Sequence, residues 1–116
     1  MWQIDPGNPA AGVRRVKLVD LGMQVAGRPV ALAVAQVKKS EIACGLLLQV
    51  YPTENQPYLP PDLQLILLDA SGQILREVKA RHADVYIQLK FSGQSREQFS
   101  VRVALGSANI TEDFVI

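Results

Sequence analysis

The stretch that decides the fold is Val85-Tyr86-Ile87-Gln88-Leu89-Lys90-Phe91, in which apolar residues occupy every second position. The segment from Phe99 to Leu105 repeats this alternation, with Val101 and Val103 between its ends. Successive side chains of a β-strand point to opposite faces of a sheet, so a period of two gives one apolar and one polar face. Such strands are typical of antiparallel sheets that cover a core on one side. The pattern therefore predicts a small all-β domain.

Turn signals at short spacing divide the rest of the chain into similar segments. Asp69-Ala70-Ser71-Gly72 predicts a hairpin, because Asp and Ser favour turns and Gly accepts a positive φ. Prolines between Pro52 and Pro61 remove backbone donors, so this segment is predicted to be a loop. About eight strands result, and they predict an antiparallel β-sandwich of immunoglobulin-like architecture. We expect one such domain over residues 13–116, after an irregular lead-in over residues 1–12.

The segment from Val30 to Val37 fits two structures. Val30, Leu32 and Val34 alternate with alanines, as in a strand with one closely packed face of small residues. However, Pro29 could start a helix, and alanine is the best helix former. We favour the strand because valine prefers strands and the alternation continues that of its neighbours.

Composition excludes several classes of function. Twelve basic and eleven acidic residues among 116 give a formal net charge of +1, too little to concentrate nucleic acid or an anionic membrane. A single cysteine permits no internal disulfide and no zinc site built on two cysteines. No apolar run approaches the roughly 20 residues that cross a bilayer, and the N-terminus lacks the pattern of a signal peptide. We therefore expect a cytoplasmic protein that binds neither nucleic acid nor membrane, in an oligomeric state that the sequence leaves undetermined.

The residues that could do chemistry are isolated from one another. His82 is the only histidine and lies in a charged turn, and Cys44 precedes a run of leucines with no basic neighbour to activate it. Glu112 and Asp113 are adjacent on a strand, so they point to opposite faces and cannot act as an acid–base pair. The sequence thus predicts no catalytic residue, no cofactor and no metal site. We expect a protein that is not an enzyme.

The proline-stiffened loop is the best candidate for a partner-binding surface. Rigid aromatic side chains make contacts at low entropic cost, which favours Tyr51, Pro52, Tyr58 and Leu59 as the contact residues. The alternative is that Tyr58 and Leu59 only cap the sandwich. We expect an interaction module, with a protein partner. A second hypothesis is a carbohydrate- or small-ligand-binding module built on exposed aromatics, for which the sequence offers Trp2, Tyr51, Tyr58 and Tyr86.

Three structural expectations complete this interpretation. Cys44 is expected to be buried and inert. Gly72 is expected to adopt a positive φ and to set the register of its hairpin. Residues 111–116 are expected to pair within a sheet and to bury Phe114, because an exposed Phe-Val-Ile ending would favour aggregation.

A set of short phrases resembles a known family. They include Tyr51-Pro52-Thr53, the run from Leu59 to Leu65, and the ending Glu112-Asp113-Phe114-Val115-Ile116. Their order over residues 17–116 is similar to the C-terminal part of a cyanobacterial family of uncharacterised proteins, a domain of unknown function. The resemblance implies a cyanobacterial, cytoplasmic protein and carries no catalytic residues. Members of that family are usually longer, so the resemblance implies either a short member or a fragment.

Overall fold

The computed structural model describes residues 2–3, 16–25, 28–38, 40–53 and 56–116. Within these ranges the chain forms strands and turns without a helix, which confirms the all-β class. The nine strands have these bounds: β1 Trp2–Gln3, β2 Val16–Val25, β3 Arg28–Lys38, β4 Ala43–Pro52, β5 Gln64–Asp69, β6 Ile74–Lys79, β7 Ile87–Gln94, β8 Gln98–Leu105 and β9 Ala108–Val115. The expected number was about eight. The expected boundary between residues 12 and 13 lies outside the described residues.

The strands form two sheets that are antiparallel except for β1. One sheet has the order β1-β9-β8-β5-β6 and the other the order β2-β3-β4-β7. The pairing of β1 with β9 is parallel and places Trp2 opposite Phe114. Among the described strands, β6 is the last strand of the first sheet and β7 is the last strand of the second, and these two strands follow one another in the chain. The flank where β6 and β7 lie is where the candidate site is found.

One core cluster draws side chains from both sheets. β4 shows the cleanest alternation, with Leu46, Leu48 and Val50 buried and the residues between them half-buried. From the other sheet, Phe99 and Phe114 enter the same cluster, and their rings stack with centroids 5.3 Å apart. Apolar side chains at every second position thus bury one face of β4 and of β8, and this burial is a main source of stability.

The segment from Val30 to Val37, whose sequence fitted both a strand and a helix, is part of strand β3. β3 pairs with β2 and β4 over its length, so Val30, Leu32 and Val34 are fully buried in the core. The alanines between them are also buried, as expected for a face of small residues. Cross-strand packing of the valines outweighs the helix propensity of alanine here.

The Asp69–Gly72 hairpin forms as predicted. The Gly72 amide donates to the Asp69 carbonyl at 3.0 Å, and the Asp69 amide donates to the Gln73 carbonyl at 2.9 Å. Gly72 closes the three-residue loop with a φ of 89°. Glycine adopts this backbone conformation with little strain because it has no Cβ. The register then shifts between Leu67 and Leu68, which leaves Leu75 of β6 without an opposite residue. This bulge lies on the outermost strand of its sheet.

One detail of the alternation was predicted wrongly. Val85 was assigned to the buried face with Ile87, but β7 begins only at Ile87 and Val85 is 57% exposed. The preceding turn takes Val85 out of the strand, since Ala83 adopts a φ of 64° there. A glycine also lies inside a strand: Gly22, a residue type that often marks a turn, pairs with Ala31 within β2.

The last strand lies where the sequence predicted it. β9 pairs with β8 along its length, and Phe114 is fully buried. The Ile116 amide donates to the Glu97 carbonyl at 3.0 Å, and the Arg96 amide donates to the Ile116 carbonyl at 2.7 Å. Ile116 also packs so closely on Gly93 that a Cβ there would approach its Cδ1 to 2.6 Å. Residues 111–116 are therefore an integral part of the sheet and core.

Candidate functional site

Two loops meet at the end of the molecule where β4 finishes and β7 begins. The loop from residue 56 to Pro61 is held to the turn over residues 81–84 by the Leu59 amide, which donates to the Asp84 carbonyl at 2.9 Å. The Leu59 side chain is only 2% exposed and belongs to the core cluster. Leu59 thus fixes the loop from below, and its neighbour Tyr58 is left on the surface, 50% exposed.

The turn over residues 81–84 is fixed by the carboxylate of Asp84. Its Oδ2 accepts a hydrogen bond from the Arg81 amide at 2.7 Å and lies 3.6 Å from Nε of the Arg81 guanidinium. The Arg81 side chain remains 87% exposed, so this pair contributes little to stability. The effect on the site is electrostatic: the carboxylate is engaged with the turn, while the guanidinium projects into solvent.

The two loops form a shallow pocket of about 200 Å³. It brings Tyr58 and Gln56 next to His82, residues that lie far apart in sequence. The remaining lining comes from Pro57, Leu59, Pro61 and Ala83. The pocket thus combines an aromatic ring, rigid prolines and two polar side chains. Its volume is below the roughly 300–1,000 Å³ of pockets that enclose a small ligand.

A wider groove adjoins this pocket along the flank between β6 and β7. It is about 560 Å³ in volume and is lined by Val78 and Lys79 of β6, by Arg81, and by residues 83–88. Val85 and Tyr86 are 57% and 53% exposed beside it. Together with Tyr58 they place three large exposed hydrophobic side chains around these adjoining depressions. We call Tyr58, Val85 and Tyr86 the apolar patch.

The structure separates the four residues predicted for a partner-binding loop. Tyr51 and Pro52 belong to the end of β4, are half-buried and do not line the pocket. Leu59 contributes its side chain to the core, and Tyr58 is the exposed member of the set. The available surface thus combines Tyr58 with residues 81–86 rather than with Tyr51. Trp2, an aromatic candidate for a sugar platform, is described only as part of β1.

The contribution of His82 and Val85 to this surface was missed from sequence. His82 was interpreted as an isolated turn residue, and Val85 as a core residue. The Arg81–Asp84 turn signal was visible, but the hydrogen bond from Leu59 that brings the proline loop to this turn joins residues 25 positions apart. No local pattern indicates such a contact.

The candidates for chemistry stay isolated within the described ranges. Cys44 is buried, 3% exposed, and its Sγ accepts a hydrogen bond from Nε2 of Gln36 at 3.2 Å. Gln36 is itself 1% exposed, and its Oε1 has no hydrogen-bond partner among the residues that the structure describes. No group of three His, Cys, Asp or Glu side chains that could hold a metal ion is found among the residues described. In the same part of the chain, no helix is long and apolar enough to cross a membrane.

One carboxylate outside the flank has a clearly shifted pKa. Hydrogen bonds from the Ser71 hydroxyl, at 2.7 Å, and from the Gln73 amide, at 2.9 Å, hold the pKa of the Asp69 carboxyl below its usual value of 3.8. The Ser71 amide donates to the same oxygen at 2.9 Å. These bonds favour the charged form, which ties the charge of Asp69 to the geometry of the hairpin.

The comparison with known families covers almost the whole chain. A family model described as "Protein of unknown function (DUF1822)" matches residues 1–115, so the similarity begins before the residues 17–116 expected from the sequence phrases. No curated protein and no solved structure matches the chain. The chain belongs to the DUF1822 family.

Proposed function

We propose that this domain is a non-enzymatic protein-interaction module that binds its partner through the apolar patch. The observation that carries the proposal is the clustering of Tyr58, Val85 and Tyr86 around adjoining depressions at one end of the molecule. Exposed apolar groups are common singly, whereas several that line adjoining depressions are typical of interaction sites. Tyrosine is also enriched among the residues that dominate binding energy.

The rigidity of the patch supports the same proposal. The backbone beneath Tyr58 is held by the Leu59–Asp84 hydrogen bond and by burial of Leu59 in the core. A preorganised aromatic side chain loses little conformational entropy when a partner binds. A hydrophobic side chain on an unanchored loop would bring a larger ordering cost.

The strand order supports a β-sandwich of immunoglobulin-like topology for this module. Strands β3-β4-β7 are neighbours in one sheet and β6-β5-β8-β9 in the other, and the chain changes sheet between β4 and β5, β6 and β7, and β7 and β8. The neighbouring pairs β4–β7 and β5–β8 interlock the two sheets, as in Greek-key sandwiches. We place the module in the cytoplasm of a cyanobacterium, in keeping with the family resemblance.

The test uses a double variant and a matched control. Tyr58→Ser with Tyr86→Ser removes the aromatic part of the patch, while Ile42→Ser changes a side chain that is 70% exposed at the other end of β4. Proteins from the source organism are captured on each immobilised chain and quantified by mass spectrometry. We expect a partner that is retained by the wild type and by Ile42→Ser but lost from the double variant. Equal capture by all three chains would refute the proposal.

A carbohydrate or other small polar ligand is the second candidate. It is favoured by Tyr58 standing beside Gln56 and His82 in one pocket, because a ring face with nearby polar groups suits a sugar. The shallowness of the pocket favours a protein partner over this ligand. A glycan array separates the two: glycan binding that Tyr58→Ser abolishes and Tyr86→Ser spares supports the second candidate.

A further inference from the structure

Ala83 lies at the point where the pocket and the groove meet. It lines both depressions, with His82 beside it in the pocket and Asp84 beside it in the groove. Its side chain is exposed, and its φ of 64° is in the left-handed region that residues other than glycine rarely adopt. The Arg81 amide, which donates to Oδ2 of Asp84, holds the turn in this conformation. Because only a methyl group stands at the junction, the two depressions form one continuous surface, which we call the trough.

The trough offers more positive than negative charge to a partner. Lys79 and Arg81 line its groove part, and both side chains are exposed. Among the described residues that line the trough, Asp84 is the one carboxylate. Its Oδ2 already accepts the Arg81 amide and lies 3.6 Å from Nε of the guanidinium, which is itself 87% exposed. The charges of the trough therefore favour an acidic partner over a basic one.

The apolar patch is divided between the two parts of the trough. Tyr58 lines the pocket part, and Val85 and Tyr86 line the groove part. Each of the three side chains is at least half exposed, so each is accessible to a partner. A segment that contacts Tyr58 as well as Tyr86 has to cross the junction at Ala83. The size of the side chain at this position thus decides whether one segment can use the whole patch.

We propose that the trough binds one linear segment of a protein partner that carries both apolar and acidic side chains, and that Ala83 keeps the crossing open. This inference rests on the proposed function and specifies the chemistry of its partner. The apolar side chains of the segment pack on Tyr58 and Tyr86, where burial of aromatic surface provides affinity. Its carboxylates approach Lys79 and Arg81, and this complementary charge speeds association and selects against basic segments.

Three substitutions of Ala83 separate the effect of size from that of charge. Glycine, asparagine and aspartate all accept a positive φ more readily than alanine, so each variant should keep or raise the thermal midpoint. Ala83→Gly leaves the junction open and should bind the segment as the wild type does. Ala83→Asn places an amide group in the junction and should weaken binding roughly tenfold or more. Ala83→Asp has the same shape with a negative charge, so it should weaken binding further.

The probes are random linear dodecapeptides displayed on phage and selected against the full chain, and their affinities are measured by fluorescence anisotropy. We expect acidic peptides that contain large apolar residues and that bind less tightly as the salt concentration rises. Lys79→Gln combined with Arg81→Gln should weaken binding roughly tenfold. The matched control is Lys90→Gln, which removes an exposed lysine of β7 outside the trough and should change the affinity little. These charge variants test the acidic partner even if a variant of Ala83 lowers the thermal midpoint.

The outcomes separate this inference from the function on which it rests. Neutral or basic peptides that Ala83→Asn excludes would overturn the acidic partner while leaving the apolar patch as the docking surface. Acidic peptides that bind Ala83→Asn as tightly as the wild type, but are lost from the variant with Tyr58→Ser and Tyr86→Ser, would overturn the crossing at Ala83 and support the proposed function. Binding that none of these variants changes would overturn both. A selection that yields no binder would overturn the linear segment and leave the capture experiment to decide the function.

Discussion

Replacing Phe114 by alanine tests the central claim that β9 is part of the core. Phe114 is fully buried and stacks on Phe99 at a centroid distance of 5.3 Å, with 14° between the ring planes. Burial of such a side chain is worth about 1.5–3 kcal/mol, and a stacked aromatic pair adds about 0.5–1.5 kcal/mol. With the cavity that remains, Phe114→Ala should lower the free energy of unfolding by about 3–5 kcal/mol. A domain of this size has roughly 6–17 kcal/mol in total, so the loss is large.

The assay is urea denaturation followed by circular dichroism. Phe91→Ala is the matched control, because it removes the same type of side chain from β7. Phe91 packs against the core but is only partly buried. The control should cost less than half as much. A double-mutant cycle with Phe99→Leu and Phe114→Leu should show a coupling of about 0.5–1.5 kcal/mol. If Phe114→Ala costs no more than Phe91→Ala, the placement of β9 in the core is wrong.

Four further predictions concern single residues. Gly72→Val should lower stability by about 1–3 kcal/mol through its φ of 89° alone, since no atom lies within 4 Å of a Cβ there, and thermal melting of Gly72→Asn should show a milder loss. Gln36→Leu should leave stability unchanged or raise it by about 1 kcal/mol in urea titration, because the buried Oε1 has no hydrogen-bond partner within the described ranges. A loss above that size would show that the Gln36 amide is satisfied by hydrogen bonds. Cys44 should react with a thiol reagent only as fast as the protein opens, so that urea accelerates labelling steeply. Rapid stoichiometric labelling of the folded protein would show that Cys44 is not inert. The pKa of Asp69 is lowered on folding, so its contribution to folding stability is complete above the usual pKa of 3.8 and is lost as the pH falls through the lower pKa of the folded state. Thermal melting measured from about pH 5 to about pH 2 should therefore show a smaller fall in melting temperature for Asp69→Asn than for the wild type.

The strands were largely predictable because their information is local. The alternation in β4 identifies the buried residues one by one, and that in β8 does so from Phe99 to Val103. Asp69 with Gly72 identifies the hairpin between β5 and β6. β1 was missed because two residues are too few to show a period. Val85 was misplaced because an apolar residue just outside a strand has the same composition as one just inside it.

The candidate site was less predictable because it is assembled by contacts between distant segments. Tyr58 was identified from its own loop, but its neighbour His82 comes from the turn before β7. Which strand ends a sheet also depends on pairings such as β4 with β7, which no local pattern contains. The sequence could therefore nominate a loop but not the surface to which that loop contributes.

The pairing of β4 with β7 has a consequence for synthesis on the ribosome. Val50 pairs with Ile87, so the edge of the β3–β4 hairpin remains open while about 40 further residues are added. At roughly 5–20 residues per second, this interval lasts about 2–8 s. During it the apolar run from Leu65 to Leu68 has also emerged without β8, its neighbour in the finished sheet. Nascent chains of this protein should therefore depend on chaperones most strongly in the window between the appearance of β5 and that of β8.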